Sequence, residues 1–220
     1  MDKDSIELKR PRDPGEEIWV NSFDEESAQK FREELLDEAK SDSFRPIIVY
    51  IDSYGGQVDA LSKMIETMDE VPNPVMTVAV GKVMSAGAIL LSHGDLRFCG
   101  HHARIMVHEI SSGTSGDVHD MNADAQETIR LNRYFMGLLA KNCGIKGGYD
   151  ALRKMIKNRD GRDNYMDADA ALKFGIVDIV GMPRVSRMKL YNVEVVPPKS
   201  TKKETKKSET KRSHQKRGGK

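Results

Sequence analysis

Short continuous apolar runs and longer stretches with apolar residues three or four apart take turns along this chain, and most are closed by glycine or proline. Ile18-Trp19-Val20 predicts a first strand. Ser22 and Glu25 then have capping-box spacing, and Ala28, Phe31, Leu35 and Ala39 step along one face of a helix. Ile47-Ile48-Val49-Tyr50-Ile51 is an unbroken β-branched and aromatic run, as expected of a strand covered on both faces, and Gly55-Gly56 ends it. Val58, Leu61, Ile65 and Met68 predict a second helix, closed by Pro72 and Pro74, and residues 75–80 predict the next strand. Strand, helix, strand in this order is a βαβ unit, which implies a parallel pair and a right-handed crossover.

The same grammar continues. A short helix is predicted over 85–91, strands over 96–99 and 105–107, and a Gly- and Ser-rich loop over 111–116. A long helix follows to about Cys143, with Val118, Met121, Ala125, Ile129, Met136 and Leu139 on or near one stripe. Gly144, Gly147 and Gly148 break it. Residues 151–157 and 168–174 predict two shorter helices, Gly175 falls where a C-terminal cap belongs, and 176–180 predict a late strand. The fold class is α/β, with one domain over 17–196. The charged segment 1–16 is expected to be a flexible arm, and 197–220 a basic disordered tail, because neither holds enough apolar surface to order itself.

Charge sharpens this division. The net charge of +1 combines a segment 199–220, with ten Lys or Arg against two Glu and hence +8, with −7 for residues 1–198. A mildly acidic body argues against a nucleic-acid-binding domain; only the tail could hold phosphates, weakly and without sequence preference. The two cysteines, Cys99 and Cys143, fit no metal motif and no disulfide framework, so a reducing compartment is expected. No apolar run approaches the roughly 20 residues that span a bilayer, and the N-terminus lacks the apolar core of a signal peptide. The expectation is a soluble, cytoplasmic protein without a membrane partner.

Four places concentrate residues able to do chemistry. Ser85, in Gly81-Lys82-Val83-Met84-Ser85-Ala86-Gly87-Ala88, falls between a buried strand and an apolar helix, where free amides and a positive dipole end gather. That position suits a nucleophile whose product is an oxyanion, and it also suits a simple N-cap, which is all that composition alone would require. His108 closes an apolar strand beside the glycine-rich loop; His101 and His102 lie in the preceding turn and read as surface residues. Arg159-Asp160-Gly161-Arg162-Asp163-Asn164-Tyr165-Met166 reads as a polar turn between helices, in which spacing alone does not choose between Asp160 and Asp163. Asp52-Ser53-Tyr54-Gly55-Gly56 follows a parallel strand, at the sheet edge where α/β folds bind ligands.

Taken together, Tyr50 through Gly56, Gly81 through Ala88, Met106-Val107-His108, Arg162 through Met166 and the stretch from Ala171 to Asp178 resemble the successive signatures of the Clp protease proteolytic subunit, in that family's order, over residues 17–182. The resemblance implies a crotonase-like fold of stacked βαβ units with a protruding handle helix. It implies a serine endopeptidase with Ser85 as nucleophile, His108 as general base and Asp163, rather than Asp160, as orienting acid. The amides of Gly56 and Ala86 would form the oxyanion hole, with no metal and no organic cofactor. It further implies a peptide or unfolded-protein substrate and a homo-oligomer of heptameric rings enclosing a chamber. An AAA+ unfoldase partner is expected less, because the segment before Ile18 does not resemble the family's axial loops. Two alternatives share the fold: a ring-forming scaffold with an inactive triad, and an acyl-CoA enzyme of the crotonase type. The chain departs from the family pattern at Asp52 and Tyr54, where the family has Asn-Ser-Pro-Gly-Gly, and at Ala86, where it has Ser-Met-Gly.

Overall fold

A computed structural model describes residues 17–41, 45–113, 115–157 and 163–184. Both terminal arms expected from the sequence, 1–16 and 197–220, lie outside the described residues, as does Asp160. The elements in chain order are β1 (Ile18–Val20), α1 (Glu25–Ser41), β2 (Ile47–Ser53), α2 (Val58–Glu70), β3 (Val75–Met84), α3 (Ala86–Ser92), β4 (Leu96–Cys99), β5 (Arg104–His108), α4 (Val118–Asn142), α5 (Gly148–Lys157), β6 (Asp163–Met166), α6 (Ala168–Phe174) and β7 (Ile179–Val180).

The βαβ reading holds: β1, β2, β3, β4 and β7 lie side by side in that order, all parallel. Strand β3 runs four residues beyond the expected end because it changes partner. Its first part pairs with β4 (Met76↔Leu96 to Ala79↔Cys99), and past Gly81 it pairs with β5 (Lys82↔Arg104 to Met84↔Met106). Gly81, at φ 61°, supplies the left-handed residue at this switch. Strand β6 then adds antiparallel to β5. The polar turn expected before Met166 is therefore a strand from Asp163 onward, with buried Asn164 and Met166 alternating with exposed Asp163 and Tyr165.

Three further expectations are corrected. Helix α1 is opened by Asp24, not by a Ser22–Glu25 box: Asp24 Oδ1 accepts from Ser27 N at 2.8 Å, and Ser27 Oγ accepts from Asp24 N at 2.9 Å. This reciprocal pair meets the needs of a helix start one residue before Glu25, and the backbone amide of Ser27 holds the Asp24 carboxyl below its ordinary range. Strand β2 is fully buried on one face and only partly on the other. Its burial alternates, and the partly buried Tyr50 stacks on Trp19 with ring centroids 4.9 Å apart. The apolar stripe of α4 is split: Phe135, Met136, Leu139 and Ala140 are buried, whereas Val118, Met121 and Ile129 are exposed. Only the C-terminal part of that helix packs on the core, so the remainder projects, as a handle helix would.

The core joins α1, α2 and α3 to one sheet face, with Leu35, Ile51, Leu61, Met64, Leu90 and Leu91 fully enclosed. All seven residues of α3 are buried. Its far end is tied down by Thr77, whose Oγ1 donates to Leu91 O at 2.7 Å. The C-terminal elements are fastened by Arg97. Its guanidinium donates to both Asp178 carboxylate oxygens, at 2.9 and 2.5 Å, and to the carbonyls of Asn142 and Gly175. These bonds join β4, α4, the αL cap of α6 and the approach to β7.

Arg97 holds the Asp178 carboxyl below the usual range, chiefly through that side-chain hydrogen bond. A lowered folded-state value means the pair's contribution is complete above the ordinary carboxylate value, near pH 4. It is then lost as pH falls towards the folded value. Arg97→Met is expected to cost about 1–3 kcal/mol at neutral pH, because it removes the donors of two carbonyls and leaves the Asp178 carboxylate only the backbone amide of residue 97. The parent-to-variant gap should narrow below about pH 4. Urea unfolding at pH 7 and pH 3.5 checks both statements.

Candidate active site

Strand β3 delivers its last residues to a sharp turn, and α3 leaves that turn directly. Between them stands Ser85, at φ 55° and ψ −120°, the only non-glycine with positive φ among the described residues. Such a conformation costs of order 1–3 kcal/mol and persists only where the surroundings impose it. Burial of Ile89, Leu90 and Leu91 on the helix that follows offsets it, at about 1.5–3 kcal/mol for each side chain. A hydrogen bond from Ser85 N to Met106 O at 2.9 Å pins the turn to β5.

Ser85 occupies the N-cap position of α3, yet its side chain makes no capping hydrogen bond. Its Oγ lies 2.8 Å from His108 Nε2 instead. His108 ends β5 and is partly buried, whereas His101 and His102 are exposed in the turn before that strand.

Asp163 is the residue directly opposite His108 in the antiparallel β5–β6 pair. Directly opposed residues share a sheet face with Cβ atoms about 4.5–5.5 Å apart. The register thus brings the carboxylate to the imidazole's side of the sheet, although 54 positions separate the two residues in sequence (163 − 108 − 1). The Asp163 side chain is exposed, and among the described residues no hydrogen bond or ion pair engages it.

The Gly55-Gly56 turn closes the other side. A Cβ placed on Gly55, which has φ 96°, would lie 2.7 Å from Ser85 Cβ, 2.8 Å from Met84 O and 3.1 Å from Ala86 N. Only a glycine admits this approach. The turn is held from both ends, by Ser53 Oγ accepting from Gly55 N at 3.1 Å and by Gln57 N donating to Phe23 O at 2.8 Å. Among the described residues no acceptor is paired with the amides of Gly56 or Ala86. Ala86 opens α3, where amides have no intrahelical partner.

The departures at 52 and 54 have a local explanation. Asp52 Oδ1 accepts from Lys82 Nζ at 2.8 Å and from Lys82 N at 3.2 Å, and the ammonium also sits 4.8 Å from the centroid of the Tyr54 ring. These contacts clamp β2 to β3 at the base of both turns. The hydrogen bond with Lys82 holds the Asp52 carboxyl below its ordinary range. Among the described residues no group of three His, Cys, Asp or Glu side chains is arranged to hold a metal ion.

The Clp protease family model matches residues 17–184, well over half of the 220-residue chain. The chain belongs to the Clp protease family. Membership makes it a peptidase with the crotonase-like fold of Clp proteases, and the mostly parallel sheet with its covering helices agrees. No helix among the described residues is long and apolar enough to cross a membrane.

The fit at Gly55 carries a prediction. Gly55→Ala adds a methyl where backbone atoms already stand and forces an L side chain into positive φ. Peptide hydrolysis by this Clp protease family member should fall about 10²-fold, the order of loss expected when a site is displaced by about 1 Å. Steady-state kinetics on a short fluorogenic peptide measures it.

Proposed function

We propose that this protein is a serine endopeptidase that cleaves peptides or unfolded proteins. Ser85 is its nucleophile, His108 its general base and Asp163 its orienting acid. The contact of 2.8 Å between His108 Nε2 and Ser85 Oγ, made at a strained strand-to-helix turn, carries the reading. An imidazole with its proton on Nδ1 accepts the Ser85 hydroxyl proton through Nε2 as Oγ attacks the scissile carbonyl. Asp163, on the neighbouring strand, accepts a hydrogen bond from the Nδ1–H, fixes the tautomer and stabilises the imidazolium. The amides of Gly56 and Ala86 donate to the oxyanion; one such donor is typically worth on the order of 3 kcal/mol of barrier. The imidazolium then protonates the leaving amine, and water hydrolyses the acyl-enzyme by the reverse sequence.

The protein works as a homo-oligomer, with peptide entering a ring-enclosed chamber. Exposed Val118, Met121 and Ile129 on the projecting part of α4 support this, since such residues gain by burial against a second copy. A ring scaffold without turnover draws on one observation, that nothing among the described residues engages the Asp163 carboxylate. Assay of the purified full chain against a short acyl-peptide and loosely folded casein separates the two. Turnover of either supports the peptidase; rings that cleave neither support the scaffold.

A further inference from the structure

The backbone that follows the imidazole is held by side chains rather than by the sheet. His108 is the terminal residue of β5. The pairing of β5 with β3 ends two residues earlier, at Met106, and its pairing with β6 ends at His108 itself. Beyond it, Ile110 N donates to Asn132 Oδ1 of α4 at 3.0 Å. The same amide's Nδ2 donates to Glu109 Oε1 at 3.3 Å and to Tyr149 OH of α5 at 3.2 Å. Glu109 Oε1 also accepts from Arg153 Nε of α5 at 2.8 Å. One carboxamide thus uses its acceptor and its donors to fasten the chain leaving His108 to two helices.

Asparagine is a poor helix former, and Leu, Ala or Arg would serve the interior of α4 better by propensity alone. Its presence at position 132 fits the need for a group that donates and accepts at once. From this geometry we propose that Asn132 and Glu109 form a positioning pair that holds the His108 imidazole within bonding distance of the Ser85 hydroxyl. The pair touches no reacting atom and acts only through His108, so the inference rests on reading His108 as the base.

The test uses the full chain with a fluorogenic peptide and a fluorophosphonate. Asn132→Ala should lower kcat and the rate of fluorophosphonate inactivation about tenfold, as expected when a base is displaced slightly. KM and the thermal midpoint should stay close to the parent's. Glu109→Ala, a change outside any helix, should show the same loss, and Glu109→Gln, which keeps the acceptor oxygen, should recover most of it. Parent-like kcat in both alanine variants, with Ser85→Ala inactive, overturns the positioning role alone. So does a Glu109→Gln variant as impaired as Glu109→Ala with a displaced pH–rate profile, because the charge and not the placement would then matter. If Ser85→Ala hydrolyses at the parent rate, the peptidase site itself is misassigned and the inference goes with it.

Discussion

Alanine at position 85 is expected to lower peptide turnover by on the order of 10⁴- to 10⁶-fold, the range set by loss of the nucleophile in serine triads. The expectation follows from the contacts of a single oxygen. Ser85 Oγ makes no cap bond to α3 and faces His108 Nε2 at 2.8 Å, so its removal takes away the proposed nucleophile without removing a helix cap. Alanine at φ 55° bears much the same strain as serine, and the helix that follows remains fully buried. The melting temperature should therefore stay near the parent's while activity vanishes. A variant that melts early would mean that the hydroxyl supports the turn; one that hydrolyses normally would remove Ser85 from the chemistry.

Asp163→Asn is expected to cost about 10³- to 10⁴-fold in kcat, with KM little changed. Asparagine keeps the shape of the side chain and loses its charge. It can also donate to the imidazole, favouring the tautomer with the proton on the wrong nitrogen. The register His108↔Asp163 places the carboxylate beside the ring's strand, and its exposed position leaves the side chain room to turn towards the ring. Kinetics of Asp163→Asn in assembled protein measures the effect. Turnover at the parent rate would reduce the catalytic unit to the Ser85–His108 pair.

The legibility of the chain divides along physical lines. Local period was enough for the parallel strands and the helices, because Ile47-Ile48-Val49-Tyr50-Ile51 and the Val58, Leu61, Ile65, Met68 series each declare one geometry within a few residues. It was not enough for β6. Asp163-Asn164-Tyr165-Met166 alternates over only four positions, after a glycine and several charges, and its pairing with β5 is a long-range event. Tyr165 and Met166 on opposite faces were the available signal. Coverage of a face is likewise non-local: nothing in residues 47–51 reveals that Tyr50 stacks on Trp19, and nothing along the α4 stripe reveals that Ile129 is exposed.

At the site, local pattern singled out Ser85 and His108 but left the serine readable as a cap. The backbone angle and the direction of the hydroxyl argue against a cap, and neither has a sequence signature. Asn132 and Arg153 were invisible for a similar reason, lying 23 and 44 residues from Glu109. The Asp52–Lys82 pair was hidden too, since it joins two strands 30 residues apart in the chain.

The central claim is that the Ser85 hydroxyl, activated by His108, attacks the peptide carbonyl. Covalent trapping with a fluorophosphonate, followed by mass spectrometry of the digested protein, tests it most directly. The account predicts one adduct per chain, on Ser85, and its disappearance in His108→Ala. Complete loss of peptidase activity with the adduct on another serine, or undiminished labelling of Ser85 without His108, would contradict it.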